Sequence, residues 1–95
     1  MFDKEDLDGV MIAAPPFVHA DVGIEALAQG LHVFTEKPPA LTAEHANRFR
    51  DAAAGTDRKV LMGTVQRHCP VSRMAREIMA REEFGNPIAY HAHYY

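Results

Sequence analysis

Residues 9–14 read Gly-Val-Met-Ile-Ala-Ala, an apolar run with no polar alternation. That pattern predicts a strand covered on both faces. Pro15-Pro16 ends it, because proline cannot donate to a ladder. From about His19 to Gln29 the period changes to that of a helix, with Ala20, Gly23, Ile24 and Leu27 on one face and Gly30 as its stop. Leu31 to Thr35 is the second predicted strand, with Val33 and Phe34 inside it. Thr42 is a natural N-cap for the next helix; Leu41 and Ala46 are placed for a hydrophobic staple, and Ala46, Phe49 and Ala53 for its inner stripe. Gly55 closes that helix, and Lys59 to Thr64 form a third apolar strand.

Pro70 then opens a third helix, with Val71, Met74, Ala75 and Ile78 on its expected buried face. Gly85-Asn86-Pro87 breaks the chain. From Ile88 to Tyr95 the residues alternate as in a strand with two unlike faces. The succession strand–helix–strand–helix–strand implies an α/β fold with right-handed crossovers and a parallel sheet. The last strand differs in character and is expected to begin another sheet.

Length and composition narrow the class. Ninety-five residues with 47% hydrophobic content are consistent with one ordinary globular domain and not with a disordered chain. The net charge of −3 is mild, with no basic stripe for nucleic acid. Cys69 is the single cysteine, so no internal disulfide forms and a reducing compartment fits. No apolar run approaches the roughly 20 residues of a membrane span. The acidic, polar stretch from Met1 to Asp8 is unlike a secretory signal, so the expected location is cytoplasmic.

In an open α/β sheet, ligands lie beyond the carboxyl ends of the strands. Three segments end the three strands: Pro15-Pro16-Phe17-Val18-His19, Glu36-Lys37-Pro38-Pro39 and Gln66-Arg67-His68. Parallel strands would gather them on one edge. Lys37 stands out, because a carboxylate before it and a proline after it restrict its backbone. Its ammonium could hydrogen-bond a substrate hydroxyl and favour the alkoxide as hydride leaves the same carbon. Read alone, such a lysine is more often a solvated loop charge. His19 could face a cofactor or merely serve a helix start. Arg67 could bind a phosphate or carboxylate through its fork, or be solvated. His91 and His93 share a strand face, but without a third ligand they make a weak metal site, and none is expected. Cys69 and His68 are adjacent and would point apart, against a nucleophile pair.

These segments carry a resemblance. Asp8 to Pro16 followed by His19, Ala26 to Val33 followed by Glu36-Lys37-Pro38, Gly63 through Arg67 to Pro70, and Phe84-Gly85-Asn86-Pro87 leading to Tyr94-Tyr95 occur in order. Together they resemble the glucose–fructose oxidoreductase, inositol dehydrogenase and rhizopine-catabolism (Gfo/Idh/MocA) family. The resemblance implies the second half of a doubly wound Rossmann domain over residues 1–69. It implies that residues 70–95 form a linking helix and the first strand of an incomplete substrate and oligomerisation domain. It further implies hydride transfer between NAD or NADP and a sugar or polyol carbon, with a homo-oligomeric parent and neither nucleic acid nor membrane as partner. Lys37 would lie at the nicotinamide and the reacting hydroxyl, and Glu36 at the cofactor ribose. Ala14, Pro15, Pro16, His19 and Pro38 would line the cofactor cleft, and Arg67 the cofactor–substrate boundary. The Lys37–Pro38 bond is expected to be cis, as the family's often is.

The pattern also departs from the family. No Gly-x-Gly-x-x-Gly is present, nor the residue about 20 positions beyond it that chooses NAD over NADP. The family's downstream aspartate and histidine for proton transfer are absent too. The chain therefore reads as a fragment of an oxidoreductase, inactive and poor at holding a dinucleotide by itself. A different reading is a small non-catalytic α/β module that pairs through the edge strand Ile88 to Tyr95.

Overall fold

The computed structural model describes residues 6–91 and 93. The chain divides into two compact units, residues 1–64 and 65–95, and each is described by itself. The first unit ends at Thr64.

In the first unit, β1 (Gly9–Ile12), β2 (His32–Thr35) and β3 (Val60–Met62) form one parallel sheet in that order. Between them run α1 (His19–Ala28) and α2 (Ala43–Ala54). The expected α/β architecture with a partial Rossmann sheet is thus the observed one. Because all three strands run the same way, Ile12, Thr35 and Met62 form one row at their carboxyl ends.

Helix α1 rests on β1 and β2 and also packs against α2. The core gathers Ile12, Ala20, Ala26, Leu27, Leu31, Val33 and Phe49. Each large apolar side chain there stabilises the fold by about 1.5–3 kcal/mol. The two helices approach closely because residue 23 has no side chain: a Cβ there would lie 2.6 Å from Cζ of Phe49. The chain leaves α1 through Gly30 at φ 77°, where Leu31 N–H donates to Ala26 O and Gly30 N–H to Leu27 O. This is the paired arrangement that closes helices ending in glycine. Helix α2 begins as expected, with the Thr42 hydroxyl accepting from His45 N–H at 3.2 Å.

Several expectations change. Strand β1 stops at Ile12, and Ala13 and Ala14 are exposed. The proposed staple is not buried, since Leu41 is 62% exposed and Ala46 is exposed too. Phe49 alone anchors α2 fully, with Ala52 and Ala53 partly buried beside it. Met11, Phe34 and Leu61 stand in register across the face opposite the core residues, and Met11 and Leu61 are largely exposed. Pattern predicted strands covered on both faces, but within the first unit the helix packed on the sheet, α1, leaves Met11 and Leu61 exposed.

The second unit holds a 3-10 turn (Val65–Arg67), α3 (Pro70–Met79) and a second 3-10 turn (Glu82–Phe84). Pro70 is the first residue of α3, as expected. Its apolar face is not buried: Val71 is 74% and Met74 63% exposed. Within this unit α3 has no second layer to pack on. The strand expected over Ile88 to Tyr95 does not form among the described residues, where Ile88 and Tyr90 stand exposed. A lone strand has no ladder partner for its backbone groups. Ala92, Tyr94 and Tyr95 lie outside the described residues. The edge-strand module is therefore left without its strand in the described part.

Candidate functional site

The carboxyl ends of the three strands form the rim of the first unit. Leaving β1, the chain passes through Ala14 and Pro15 into a 3-10 turn (Pro16–Val18), whose Val18 N–H donates to Pro15 O at 3.1 Å. Pro15 and Pro16 are exposed on this turn. Proline suits it, because its fixed φ matches the turn and its missing N–H is not needed there.

His19 starts α1 and points inward, with 1% exposure. Its Nδ1 lies 2.7 Å from Pro38 O and its Nε2 2.7 Å from Ala14 O. A neutral imidazole carries one N–H and donates to one of these oxygens; an imidazolium donates to both. The ring lies between the loop after β1 and the loop after β2: the imidazolium bonds both, and the neutral ring bonds one and lies against the other. Both ring nitrogens face backbone carbonyls, so the ring reaches the rim through the loops beside it.

The loop after β2 carries Glu36, Lys37 and Pro38. Glu36 N–H donates to Ile12 O at 2.9 Å, continuing the β1–β2 pairing one step past the strand. The half-buried Glu36 carboxylate accepts from Lys37 N–H at 3.2 Å. The Lys37–Pro38 peptide is cis, as the resemblance implied. The Lys37 side chain is exposed at the rim. Thr35, fully buried beneath, donates from Oγ1 to Glu36 O at 3.3 Å.

Strand β3 delivers Gly63, whose N–H donates to Thr35 O at 2.8 Å. A Cβ on Gly63 would lie 2.9 Å from a Glu36 carboxylate oxygen, so the bare glycine lets that carboxylate sit against the β3 end. Sequence reasoning missed Gly63 and Thr35 as parts of this rim. A glycine closing an apolar strand was the available signal for the first. Thr35 was read only as the last residue of a strand. Another missed link is His32, whose Nδ1 accepts from Lys59 N–H at 2.9 Å where β3 begins.

The rim thus brings together Ala14, His19 and Pro38, and beside them Glu36, Lys37 and Gly63. Arg67 belongs to the second unit, where it closes the 3-10 turn and is exposed. Among the described residues no cluster of three or more His, Cys, Asp or Glu side chains could hold a metal ion. None of the described helices is long and apolar enough to cross a membrane. At this rim Glu36 offers a carboxylate that only accepts hydrogen bonds and Lys37 an ammonium that only donates them.

Parallel strands with a crossover helix, a rim at their carboxyl ends and such a loop define a dinucleotide-binding α/β domain. The family model for the oxidoreductase family with an NAD-binding Rossmann fold (GFO_IDH_MocA) matches residues 1–64, and the chain belongs to that family. The chain is 28% identical over 87 residues to glucose-6-phosphate 3-dehydrogenase of Bacillus subtilis, covering 92% of this chain and 25% of that protein. It is 31% identical over 86 residues to rhizopine catabolism protein MocA of Rhizobium meliloti, covering 90% of this chain and 27% of that one. The crystal structure of scyllo-inositol dehydrogenase from Lactobacillus casei with NAD(H) and scyllo-inositol bound superimposes with a TM-score of 0.84 at 29% identity, covering 90% of this chain and 25% of that one. The chain spans about a quarter of the length of these relatives.

Proposed function

We propose that this chain supplies the lysine and part of the cofactor wall of an NAD(P)-dependent dehydrogenase acting on a sugar or polyol hydroxyl. The observation that carries this reading is the rim around His19: its two ring nitrogens lie 2.7 Å from Ala14 O and from Pro38 O, beside the loop that presents Lys37. The family membership and the sugar and inositol dehydrogenases among the relatives support the same reading.

When bound, the nicotinamide accepts or returns the hydride. Lys37 then donates a hydrogen bond from Nζ to the reacting hydroxyl oxygen and stabilises the negative charge that grows there. Glu36 accepts from ribose hydroxyls. Ala14, Pro15, Pro16 and Pro38 form the wall of the cleft, and His19 positions it through the backbone. Arg67 is assigned to the boundary between cofactor and substrate, and residues 70–95 to the link into a substrate and oligomerisation domain. NAD and NADP both remain open as cofactors, and the working protein is taken to be a cytoplasmic homo-oligomer.

The test is NMR of the full chain with NADH at millimolar concentration. Amide shifts at Glu36, Lys37 and Gly63, with α2 unmoved, are the expected result. Binding is expected to be weak, and shifts confined to other surfaces would overturn the proposal.

A further inference from the structure

Among the described residues, three of the four arginines after Thr64 stand without an acidic partner. Arg81 pairs with Glu83 at 3.7 Å, but Arg67, Arg73 and Arg76 form no ion pair among the described residues. No Asp or Glu occurs from Val65 to Arg76. This concentration of positive charge lies in a chain whose net charge is −3.

The three arginines line one cleft. Arg67, His68, Arg73, Arg76 and Glu77 line a cavity of about 550 Å³ within the second unit. That volume is in the range of small-molecule sites, roughly 300–1,000 Å³. The turn geometry brings the lining together: His68 N–H donates to Val65 O at 3.0 Å, and Arg73 N–H to Cys69 O at 3.0 Å. Arg67 and His68 thus precede the helix that carries Arg73 and Arg76. Glu77 is the single carboxylate of the lining. It leaves three positive side chains against one negative one, so the cleft attracts anions.

A second cleft, of about 430 Å³, shares Arg67 and Arg76 with the first. Its further lining includes Gln66, Ser72 and Tyr90. These neutral groups both donate and accept hydrogen bonds, as sugar hydroxyls require. One wall therefore offers guanidinium forks and the adjoining one offers hydroxyl partners.

We propose that residues 65–90 form a binding site for a phosphate monoester carried on a polyhydroxylated carbon frame. The phosphate lies among Arg67, Arg73 and Arg76, and the hydroxyls lie against Gln66, Ser72 and Tyr90. Arginine suits the first role because its planar fork bonds two phosphate oxygens at once. The arginine cleft stands without the oxidoreductase reading; that reading adds that the ligand is a substrate or a cofactor.

Calorimetric titration of the full chain with glucose 6-phosphate, glucose, inorganic phosphate, sulfate, NADH and NADPH tests this. Glucose 6-phosphate is expected to bind at least about 10-fold tighter than glucose or inorganic phosphate, as charge-assisted bonds to a buried face of the ligand allow. Arg73→Gln and Arg76→Gln should each weaken it about 10-fold or more. Tyr90→Phe should weaken glucose 6-phosphate and leave inorganic phosphate unchanged. Arg73→Lys keeps the charge without the fork and gives an intermediate loss. Both arginines are exposed, and circular dichroism checks that the helix persists. A preference for NADPH over NADH in place of glucose 6-phosphate would assign the same phosphate chemistry to the cofactor. Equal affinity for sulfate, phosphate and the ester would mean an adventitious ion only and overturn the proposal. So would glutamine variants that bind like the parent. The NADH shifts at Glu36 and Lys37 are read separately, so failure of this site leaves the dehydrogenase reading standing.

Discussion

The imidazole of His19 lies 2.7 Å from the carbonyl oxygen of Pro38, nineteen positions away in the chain. The other ring nitrogen lies 2.7 Å from Ala14 O. Two loops that leave different strands thereby meet the first residue of one helix. The arrangement explains how a side chain with 1% exposure can matter to a rim it does not itself line.

His19→Ala would remove the ring donor from beside the Ala14 and Pro38 carbonyl oxygens and open a cavity beneath the loops. A buried polar group left unpaired costs about 1–3 kcal/mol. The expected loss of stability is on the order of 3 kcal/mol, read as a lower urea midpoint with an unchanged slope. His19→Gln, which keeps amide donors, should recover part of it. An alanine variant as stable as the parent would show that the ring contributes nothing.

Gly23→Ala sets two effects against each other. Alanine favours a helix over glycine by up to about 1 kcal/mol. Its Cβ, however, would meet the Phe49 ring at 2.6 Å, and that ring is itself buried. Overpacking of this kind costs about 1–3 kcal/mol. Net destabilisation is expected, and Phe49→Leu in the same chain should relieve part of it. A double-mutant cycle by thermal unfolding measures the coupling, and strict additivity would refute the clash.

Lys37→Met should abolish the hydrogen bond to the reacting hydroxyl while leaving the fold intact, because the side chain is exposed. The measurement uses scyllo-inositol dehydrogenase of Lactobacillus casei with its matching segment replaced by this chain. There kcat is expected to fall about 10²–10⁴-fold. Retention of kcat with a changed KM alone would assign Lys37 to binding.

Gly63→Ala tests the rim from the β3 side. A Cβ 2.9 Å from the Glu36 carboxylate would turn that group away from its place. The NADH-induced shifts at Lys37 should weaken, while the α2 amides keep their positions. An unaltered titration would separate Glu36 from cofactor binding.

Met11 and Leu61 bracket Phe34 across the uncovered face of the sheet. Replacing both by lysine should lower binding of a hydrophobic dye and reduce self-association in sedimentation. Stability should change by no more than about 0.5 kcal/mol, as for other exposed positions. Substantial unfolding would mean that this face is covered in the folded chain.

Much of the local structure was legible in the residues themselves. The apolar run at Gly9, the glycine at 30, the Thr42 cap and the proline at 70 each impose a local conformation, and each stands where the pattern put it. What pattern misjudged was burial. Periodicity tells which residues share a face, not whether anything lies against that face. Hence Val71 and Met74 were expected inside and stand exposed, and so does Ala46. The strand expected over Ile88 to Tyr95 failed among the described residues for the related reason that a strand needs a neighbour's backbone.

By itself, then, the order of residues determined the α/β alternation, the loop Glu36-Lys37-Pro38 and the family. Tertiary structure alone decided that His19 turns inward to two carbonyls, that Gly63 makes room for Glu36, and that Arg67, Arg73 and Arg76 share a cleft. The physical reason is range. Propensities and periods act over a few neighbouring residues. A hydrogen bond from residue 19 to residue 38, or a cleft shared by separated arginines, depends on where packing brings distant segments together.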